Sequence, residues 1–401
     1  MAFTFLQDKI IAAQTKIVMI IMDGLGGLPR EPGGKTELET AVKPNLDTLA
    51  AQSELGLTVP VGPGITAGSG PGHLAIFGYD PIEYEIGRGA LEALGVDFDL
   101  GLNDVAARGN FCSVDGKGNL IDRRAGRLPT EVSFELAKLL RTIKVDGVEF
   151  FIEPVKEHRF AFVIRGQGLG DSMTETDPFK TGVPPLKLHA LTPDSEKTAQ
   201  CVNKFVEKAR LLMAGKQPAN MVLLRGFTKF PRIPMYQELF ALNPAAIAIN
   251  GMYRGVARLA GMTILDLEGD TLKDEFAALE KHWNEFDFFY LHVKKTDTCG
   301  ETGDFTGKVG VIEEVDAQIP RLLALRPDVV IIGGDHSTPS VLQSHSWHPV
   351  PVLLYSKYAR GHGNPQFGER ACASGGLGIL PAKDIMPIAL AHAGRIAKYG
   401  A

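Results

Sequence analysis

Acidic and imidazole side chains follow two apolar segments that lie far apart in the chain. Asp23 comes directly after the segment 17–22, and Asp335 and His336 follow the segment 329–332 and two glycines. Both segments are typical of buried parallel strands, and open α/β sheets bind ligands at the carboxyl ends of their strands. Carboxylate oxygens and an imidazole nitrogen are suitable donors for a divalent cation. Each segment alone, however, favours an ordinary polar residue at the end of a core strand.

Ser69 is the candidate nucleophile. It lies in a run of glycine and proline, 68–72, in which backbone amides can approach an anion without obstruction by side chains. A helix is predicted from Leu74 to Phe77, and its N-terminus would add a favourable partial charge at the same place. A cation nearby would lower the pKa of the serine hydroxyl and prepare it to attack a phosphoryl group. The segment alone is equally compatible with a turn that contains an incidental serine.

Two further segments contain donors for a second cation. Asp297 and Glu301 lie four residues apart in a predicted glycine-containing loop after a buried strand, and His345 lies shortly before the last strong strand. Each of them alone is more typical of a structural or surface position. Together with the four residues named above they make seven donors, enough for two cations and one nucleophile. The set therefore predicts a phosphoryl-transfer site.

The elements that position these residues alternate between strand and helix in two separated parts of the chain. Strands are predicted at 16–22, 245–249, 288–293, 328–332 and 350–355, and helices at 44–50, 272–285, 310–325 and 385–398. The block between them contains strand-like segments from 105 onward and one long amphipathic helix, 194–213. We therefore predict an α/β fold with a central, mostly parallel sheet, formed by 1–85 and 241–401 and interrupted by a smaller α+β domain at 86–240.

Composition excludes several classes of function. The chain has 401 residues, 44% hydrophobic residues and a net charge of −5, which fits two globular domains and gives no basic surface for nucleic acid. The four cysteines are scattered without a C-x-x-C pair, which indicates a reducing compartment and excludes a thiolate zinc ribbon. The apolar segment near the N-terminus is too short to span a membrane. We expect a cytoplasmic protein without a membrane partner.

Motifs along almost the whole chain, from near residue 17 to near 355, resemble those of one family. It is the archaeal-type, 2,3-bisphosphoglycerate-independent phosphoglycerate mutases of the alkaline phosphatase superfamily. The matching segments are Met22-Asp23-Gly24, 36–41, Pro44-Asn45-Leu46-Asp47, Gly68-Ser69-Gly70-Pro71, 77–81, Gly87-Arg88-Gly89, 122–127, Glu157-His158-Arg159, Thr176-Asp177-Pro178, Leu224-Arg225-Gly226 and Gly334-Asp335-His336-Ser337. The resemblance implies an alkaline-phosphatase-like three-layer domain that binds metal and a smaller inserted domain that binds substrate.

The resemblance also implies roles for individual residues. Ser69 matches the serine that becomes phosphorylated. The cation ligands that match are Asp23, Asp335 and His336 beside that serine, and Asp297 and His345 at the second cation. The candidate arginines for substrate phosphate and carboxylate are Arg123, Arg159, Arg225 and Arg254, since a guanidinium binds oxyanions with two parallel hydrogen bonds. Each of these arginines is about equally compatible with a solvated surface position. The cofactors implied are two divalent cations, Mn²⁺ or Mg²⁺ with Zn²⁺ as a further candidate, and no 2,3-bisphosphoglycerate.

Glu301 departs from the pattern of the family. Better-known members have a histidine at this position, four residues after the aspartate that matches Asp297. A carboxylate here still binds a cation but favours harder ions such as Mn²⁺ or Mg²⁺. We therefore expect Glu301 to be a ligand or close partner of the second cation. The rival interpretation is that it points to solvent and that the protein uses a single metal.

The resulting hypothesis is interconversion of 3-phosphoglycerate and 2-phosphoglycerate through a phosphoserine, with a small phosphorylated acid as the substrate. One alternative is a metal-dependent phosphatase, or a mutase that acts on another phosphorylated small molecule. Another is a non-catalytic relative that binds a phosphometabolite, although a binding protein needs no nucleophile. The sequence leaves the oligomeric state open.

Overall fold

The computed structural model of the protein describes residues 6–84, 86–230, 232–361, 363 and 366–400. The chain forms two compact units, one of Met1–Glu85 with Ile233–Ala401 and the other of Ile86–Arg232. The second division falls at Arg232, whereas the sequence predicted it at 240. The helix Tyr236–Phe240 belongs to the first unit, where the Tyr236 hydroxyl donates a hydrogen bond of 3.0 Å to the carbonyl of Phe77.

The strands and helices are numbered here in chain order. The strands are β1 Ile17–Met22, β2 Ser53–Val59, β3 Val105–Val114, β4 Leu120–Asp122, β5 Glu149–Lys156, β6 Arg159–Arg165, β7 Met221–Lys229, β8 Pro244–Ala248, β9 Thr263–Ile264, β10 Phe288–Val293, β11 Val329–Gly333, β12 Val350–Ser356 and β13 Gly378–Pro381. The helices are α1 Glu37–Thr40, α2 Pro44–Ala51, α3 Ser69–Ile76, α4 Arg88–Gly95, α5 Thr130–Leu140, α6 Glu196–Leu212, α7 Tyr236–Phe240, α8 Gly251–Leu259, α9 Leu272–Lys281, α10 Lys295–Thr302, α11 Phe305–Asp316, α12 Ile319–Ala324, α13 Glu369–Ala373 and α14 Ile385–His392.

The first unit is built on an eight-stranded sheet in the order β13-β2-β12-β11-β1-β10-β8-β9. Only β12 runs antiparallel to its neighbours, so the predicted mostly parallel sheet is confirmed. All six residues of β1 are buried, because helices cover both faces of the sheet. On one face, Val18 and Ile20 pack in a core with Ile312 of α11, and on the other face Phe77, which ends α3, contacts Tyr290 of β10. The three-layer α/β architecture is thus confirmed.

The helices predicted at 272–285 and 385–398 end earlier, at Lys281 and His392. Two other local predictions in this unit were wrong, each for a specific reason. The predicted helix 310–325 is two helices, α11 and α12, because Pro320 in the first turn of α12 cannot continue a preceding helix. The predicted loop after β10 is the helix α10, which ends at Gly303 with φ +77°. Glycine adopts this left-handed conformation without strain, and it is a common helix terminator.

The second unit has an antiparallel five-stranded sheet in which β3 pairs with β4, β6 and β7, and β5 pairs with β6. Its core contains Phe111, Phe160 and Phe162 of the sheet and Phe205 of α6. The long helix predicted at 194–213 corresponds to α6, Glu196–Leu212. No helix in the described part of the chain combines the length and apolar character needed to cross a bilayer.

Candidate active site

Three neighbouring strands of the first unit end at the same edge of its sheet. The central strand β1 pairs in parallel with β10 on one side and β11 on the other, and Ile21 is in register with both His292 and Gly333. Because parallel strands present their carboxyl ends together, Asp23 and Asp335 leave the sheet side by side, as the sequence predicted. This edge carries the first group of donors.

The first donor group consists of Asp23, Asp335 and His336, with one ligand atom of each within 4.8 Å of the others. The Nε2 atom of His336 lies 3.3 Å from Oδ1 of Asp23 and 3.2 Å from Oδ2 of Asp335. All three side chains are at most 1% exposed. Oδ1 of Asp23 and Oδ2 of Asp335 have no hydrogen-bond partner, although buried carboxylate oxygens normally require one. The residues present therefore fit a divalent cation.

Ser69 is the first residue of α3, so the helix begins five residues earlier than the predicted start at Leu74. Its Oγ lies 3.2 Å from Nε2 of His336, next to the first donor group. The helix reaches this position because residue 72 is glycine: a Cβ there would lie 2.4 Å from the carbonyl oxygen of Asp335. Ser69 thus lies at the positive end of a helix and beside the cation ligands, a suitable position for a nucleophile that must accept a phosphoryl group.

His73 is a functional side chain that the sequence reasoning missed. Its Nδ1 lies 2.8 Å from the carbonyl oxygen of Ser69 and 3.1 Å from Oδ2 of Asp335. Its other ring nitrogen, Nε2, is buried without a hydrogen-bond partner. The spacing of four residues from Ser69 places both side chains on one face of a helix and could have indicated this contact, had the helix been predicted to begin at Ser69.

The second donor group consists of Asp297, His336 and His345. Nε2 of His345 lies 3.5 Å from Oδ1 of Asp297. The imidazole rings of His336 and His345 stack with their centroids 3.7 Å apart. Thr338 connects the groups, since its hydroxyl donates a hydrogen bond of 2.7 Å to Oδ1 of Asp297 and lies 3.0 Å from Nδ1 of His336. The structure thus brings together the predicted donors Asp297 and His345, and it adds His336 to them.

Glu301 lies at the margin of the second group. Its Oε1 is 3.8 Å from Nε2 of His345, but its carboxylate is not among the ligand atoms that lie within 4.8 Å of one another. The side chain projects from α10 and is 55% exposed. Ligation by Glu301 therefore stays a prediction.

Lys294, also missed from the sequence, is an ammonium group shared by the two donor groups. Its Nζ lies 3.0 Å from Oδ2 of Asp23 and 2.6 Å from Oδ2 of Asp297. Tyr253 of α8 donates a hydrogen bond to the same oxygen of Asp23, and the Tyr253 ring stacks on His292. None of these three residues has a sequence signature, because the fold alone brings α8 and the end of β10 to the carboxylates.

The electrostatics of the site follow from burial and close charges. Burial disfavours the ionised form of Asp23, but His292, His336 and Lys294 outweigh it and hold the pKa of Asp23 well below its usual range. Burial likewise opposes the charged form of His336, yet Asp335, Asp23 and Asp297 raise its pKa to about 9. Burial lowers the pKa of His292 to about 4, so this imidazole is neutral near pH 7. Asp23 is thus ionised, and a cation bound to Nε2 of His336 would have to displace a proton from that ring.

A cavity of about 450 Å³ adjoins the site at the ends of β8 and β10. Its lining includes His292, Lys294 and Asn250, together with Glu275 from the first turn of α9. Glu275 is 2% exposed and its Oε1 has no hydrogen-bond partner. Burial raises the pKa of Glu275 to about 9, so it is a neutral acid near pH 7.

The second unit contains three of the four candidate arginines. Arg123 forms two hydrogen bonds with Asp177, of 2.8 Å and 2.7 Å, and Arg225 lies 4.0 Å from the same carboxylate. Nε of Arg225 is buried without a hydrogen-bond partner, and burial together with neighbouring arginines, among them Arg108, lowers the pKa of Arg225. Arg159 is the first residue of β6, where it pairs with Asn110 of β3. Arg123 and Arg225 are thus the two candidates that lie at the same carboxylate.

Arg254, the fourth candidate, lies in the first unit on α8. It lines a cavity of about 300 Å³ with Arg258 and Asp266. Arg254 follows Tyr253 directly, and Tyr253 contacts Asp23, so the same helix connects this arginine with the first donor group.

The fold and the site define the class of this protein. It is an α/β protein with a serine at a helix N-terminus and two groups of carboxylate and imidazole donors at the carboxyl edge of a mostly parallel sheet, one group buried and the other partly exposed at His345. A family model for 2,3-bisphosphoglycerate-independent phosphoglycerate mutase matches residues 50–220. The chain is 51% identical to a probable 2,3-bisphosphoglycerate-independent phosphoglycerate mutase of Thermus thermophilus, over 100% of this chain and 99% of the relative. It is 49% identical to a relative of the same description from Thermotoga maritima, over 99% of this chain and 98% of the relative. The chain therefore belongs to the 2,3-bisphosphoglycerate-independent phosphoglycerate mutase family.

Two solved structures are similar over nearly the whole chain. The PH0037 protein from Pyrococcus horikoshii has 31% identity and a TM-score of 0.83, with coverage of 97% of this chain and 100% of the other. A cofactor-independent phosphoglycerate mutase from Thermoplasma acidophilum has 29% identity and a TM-score of 0.77, covering 95% and 100%. The family resemblance predicted from the motifs is thereby confirmed.

Proposed function

We propose that this chain interconverts 3-phosphoglycerate and 2-phosphoglycerate through a phosphoserine at Ser69. The observation that carries the proposal is the position of the Ser69 hydroxyl, at the start of α3 and 3.2 Å from Nε2 of His336. Two buried carboxylate oxygens beside it, on Asp23 and Asp335, have no hydrogen-bond partner. Family membership supports the choice of substrate, since the relatives are described as phosphoglycerate mutases.

The proposed cation ligands divide between two positions. Asp23, Asp335, His336 and the Ser69 hydroxyl would hold one divalent cation, and Asp297 and His345, with Glu301 as a further ligand, would hold the other. Cations bound there lower the pKa of the serine hydroxyl and offset negative charge on the transferring phosphoryl group. The mixture of carboxylate oxygens and imidazole nitrogens suits Mn²⁺, and it is compatible with Mg²⁺ and Zn²⁺.

The reaction transfers one phosphoryl group twice. The Oγ atom of Ser69 loses its proton and forms a bond to phosphorus as the bond from phosphorus to the substrate oxygen breaks. That oxygen takes up one proton, which balances the one lost by Ser69, and becomes a hydroxyl. The glycerate then presents its neighbouring hydroxyl, which takes the phosphoryl group back and releases Ser69. Free N–H groups at the start of α3 and the ammonium of Lys294 stabilise negative charge near the phosphoryl group. Water must be excluded at the phosphoserine stage, since its attack would convert the mutase into a phosphatase.

Arginine side chains are the proposed binding groups for the substrate's carboxylate and phosphate. Arg225 is the strongest candidate, because its buried Nε has no hydrogen-bond partner and its neighbours include Arg108 and Arg123. Arg123 is already held by Asp177, which orients its guanidinium. Arg159 and Arg254 remain proposed on the family resemblance.

The decisive experiment assays purified protein with 3-phosphoglycerate and measures both 2-phosphoglycerate and free phosphate. We expect 2-phosphoglycerate without comparable phosphate release, loss of turnover after chelation, and recovery with Mn²⁺. Ser69→Ala should abolish turnover while circular dichroism and bound metal stay close to those of the unchanged protein.

Each rival function gives a different result in this assay. Free phosphate as the main product would favour a phosphatase, and binding without either product would favour a non-catalytic relative. Appreciable mutase activity in Ser69→Ala would exclude Ser69 as the nucleophile. Undiminished activity in verified metal-free protein would refute the two-cation site.

We also propose that the protein acts in the cytoplasm on a soluble phosphorylated acid. All four cysteines, Cys112, Cys201, Cys299 and Cys372, are free thiols, which is typical of a reducing compartment.

A further inference from the structure

Lys308 is a fully buried lysine on α11, with 0% of its surface exposed. Its Nζ donates hydrogen bonds to three backbone carbonyls, those of Gly24 at 2.8 Å, Gly26 at 3.2 Å and Thr338 at 2.9 Å. An ammonium group has three N–H donors, so these carbonyls use all of them. Burying a charged ammonium is costly, and burial lowers the pKa of Lys308 accordingly. The position of this group therefore requires an explanation beyond packing of the helix.

The three carbonyls belong to the two loops that carry the first donor group. Gly24 follows Asp23 directly, and its backbone N–H donates a hydrogen bond of 3.1 Å to Oδ1 of Asp335. Gly24 and Gly26 also accept hydrogen bonds from the backbone N–H of Thr338, at 3.2 Å and 3.1 Å. The ammonium thus reinforces a junction between the loop after β1 and the loop after β11.

Thr338 extends the same junction to the second donor group. Its hydroxyl has one hydrogen, which it donates to Oδ1 of Asp297, so it can only accept from Nδ1 of His336. This arrangement leaves Nε2 of His336 directed at the cation, which is how ligating histidines are usually oriented. Lys308 is therefore one hydrogen bond from Thr338, which in turn contacts one ligand of each proposed cation.

Glycines allow the segments to meet this closely around the ammonium. A Cβ at Gly26 would lie 1.8 Å from Oγ of Ser337, and a Cβ at Gly300 of α10 would lie 2.2 Å from the carbonyl oxygen of Thr338. The loop after β1, the loop after β11 and helix α10 are thus in close contact around Lys308. Helix α10 carries Asp297. The geometry is that of a fixed junction, in which a displacement of any one segment displaces the others.

We propose that Lys308 is a positioning residue for the phosphoryl-transfer reaction: it fixes the two donor groups relative to each other through Gly24, Gly26 and Thr338. It touches neither substrate nor cation. The inference rests on the proposed two-cation site and adds to it a residue that determines how well both groups are preorganised. The rival interpretation is that Lys308 only stabilises the fold.

The test compares Lys308→Met, which keeps the length and burial of the side chain but removes its donors, with a matched control on the same helix. The control is Ile312→Ala, one turn further along, which creates a cavity in the core but leaves the three hydrogen bonds of Lys308 in place. Mn²⁺ binding to metal-free protein is measured by calorimetry, with melting temperature, kcat and KM measured in parallel. We expect Lys308→Met to weaken Mn²⁺ binding by about 10- to 100-fold, the range typical of groups that orient metal ligands. Its kcat should fall while KM for 3-phosphoglycerate changes little. Ile312→Ala should lower the melting temperature and leave Mn²⁺ affinity unchanged.

Thr338→Val tests the same junction if Lys308→Met does not fold. It removes the hydroxyl but keeps the carbonyl that Lys308 contacts, and it should also weaken Mn²⁺ binding. Where both variants fold, the double variant should lose less affinity than the product of the two single losses, because both act through one junction.

The outcomes separate this proposal from the proposed function. If the unchanged protein binds no Mn²⁺, or if Asp23→Asn does not weaken the binding, the cation site itself is wrong. If Asp23→Asn weakens binding but Lys308→Met, or Thr338→Val in its place, keeps full Mn²⁺ affinity and kcat, Lys308 is a purely structural residue. The same conclusion follows if Ile312→Ala loses as much Mn²⁺ affinity as Lys308→Met.

Discussion

Gly72→Ala should impair catalysis although it adds only one methyl group. Gly72 lies inside α3, three residues after Ser69, where the helix packs directly on the backbone of Asp335. The new Cβ would lie 2.4 Å from the carbonyl oxygen of Asp335, whereas ordinary contact begins at 3.4 Å. The methyl carbon is fixed directly to the helix backbone and its partner is a backbone carbonyl oxygen, so neither can rotate away as a flexible side chain would. Relief of the clash requires the helix and the Asp335 loop to separate by about 1 Å.

The size of the effect follows from that displacement. Ser69 and Asp335 belong to the two elements that separate, so the distance between Oγ of Ser69 and Nε2 of His336, now 3.2 Å, must change. Misplacing a reacting group by about 1 Å can reduce the rate ~100-fold, which corresponds to about 2.7 kcal/mol in the activation free energy. The free energy of unfolding should change by less than this, because two effects oppose each other. Alanine is favoured over glycine in a helix interior by ~1 kcal/mol, whereas the clash costs ~1–3 kcal/mol.

The assay measures kcat/KM for 3-phosphoglycerate at saturating Mn²⁺, together with the melting temperature. Gly310→Ala is the matched control, because it is also a helix-interior glycine but a Cβ there would meet nothing within 4 Å. The control should stabilise the protein by ~1 kcal/mol and leave activity unchanged. A Gly72→Ala enzyme with the activity of the control would show that this contact does not set the position of Ser69.

Two further predictions concern acidic residues at the margin of the site. Glu301→Gln should weaken binding of one Mn²⁺ ion and spare the other, and Glu301→His should shift the metal preference toward softer ions such as Zn²⁺. If a two-site Mn²⁺ titration gives Glu301→Gln the same two affinities as the unchanged protein, Glu301 is not a ligand. Glu275 has a pKa raised from 4.5 to about 9 by burial, so the folded protein keeps a proton that the unfolded chain releases. Its contribution to stability is therefore complete below pH 4.5 and is lost as the pH rises toward 9, by at most ~1.4 kcal/mol per pH unit. Glu275→Gln has no such group, so its melting temperature relative to the unchanged protein should rise between pH 5 and pH 9; a constant difference would contradict the raised pKa.

Five strands of the first unit, β1, β8, β10, β11 and β12, could be predicted from sequence because they are buried on both faces. The short strands β9 and β13 are partly exposed and were not predicted. A continuous apolar segment such as Ile17–Met22 followed by an aspartate leaves little ambiguity about where the strand ends. The start of α3 was harder to predict, since glycine and proline at 68–72 are typical of a turn. The helix propensity of these residues is low, but packing of the helix against Asp335 stabilises it. Tertiary contacts therefore override the local preference for a turn.

Three of the residues missed from the sequence have partners that are distant in the chain. Lys294 contacts Asp23, Lys308 contacts Gly24 and Gly26, and Tyr253 contacts Asp23. A lysine on a helix is usually a solvated residue, and only the fold shows that α11 turns Lys308 toward two loops. Pattern reasoning identifies groups that follow strands, but it cannot identify groups that reach those strand ends from other elements.

The sharing of His336 between the two donor groups bears directly on Glu301. Because Nδ1 of His336 is committed to Thr338, only Nε2 is left to bind a cation, and one nitrogen lone pair serves one ion. Nε2 lies 3.3 Å from Asp23 and 3.2 Å from Asp335, so it belongs with the first cation. Among the described residues, Asp297 and His345 are then the two donors left for the second position, whereas cation sites commonly use three or more protein ligands. Glu301, 3.8 Å from His345 and exposed on the adjacent helix, is the carboxylate whose rotation would complete that site.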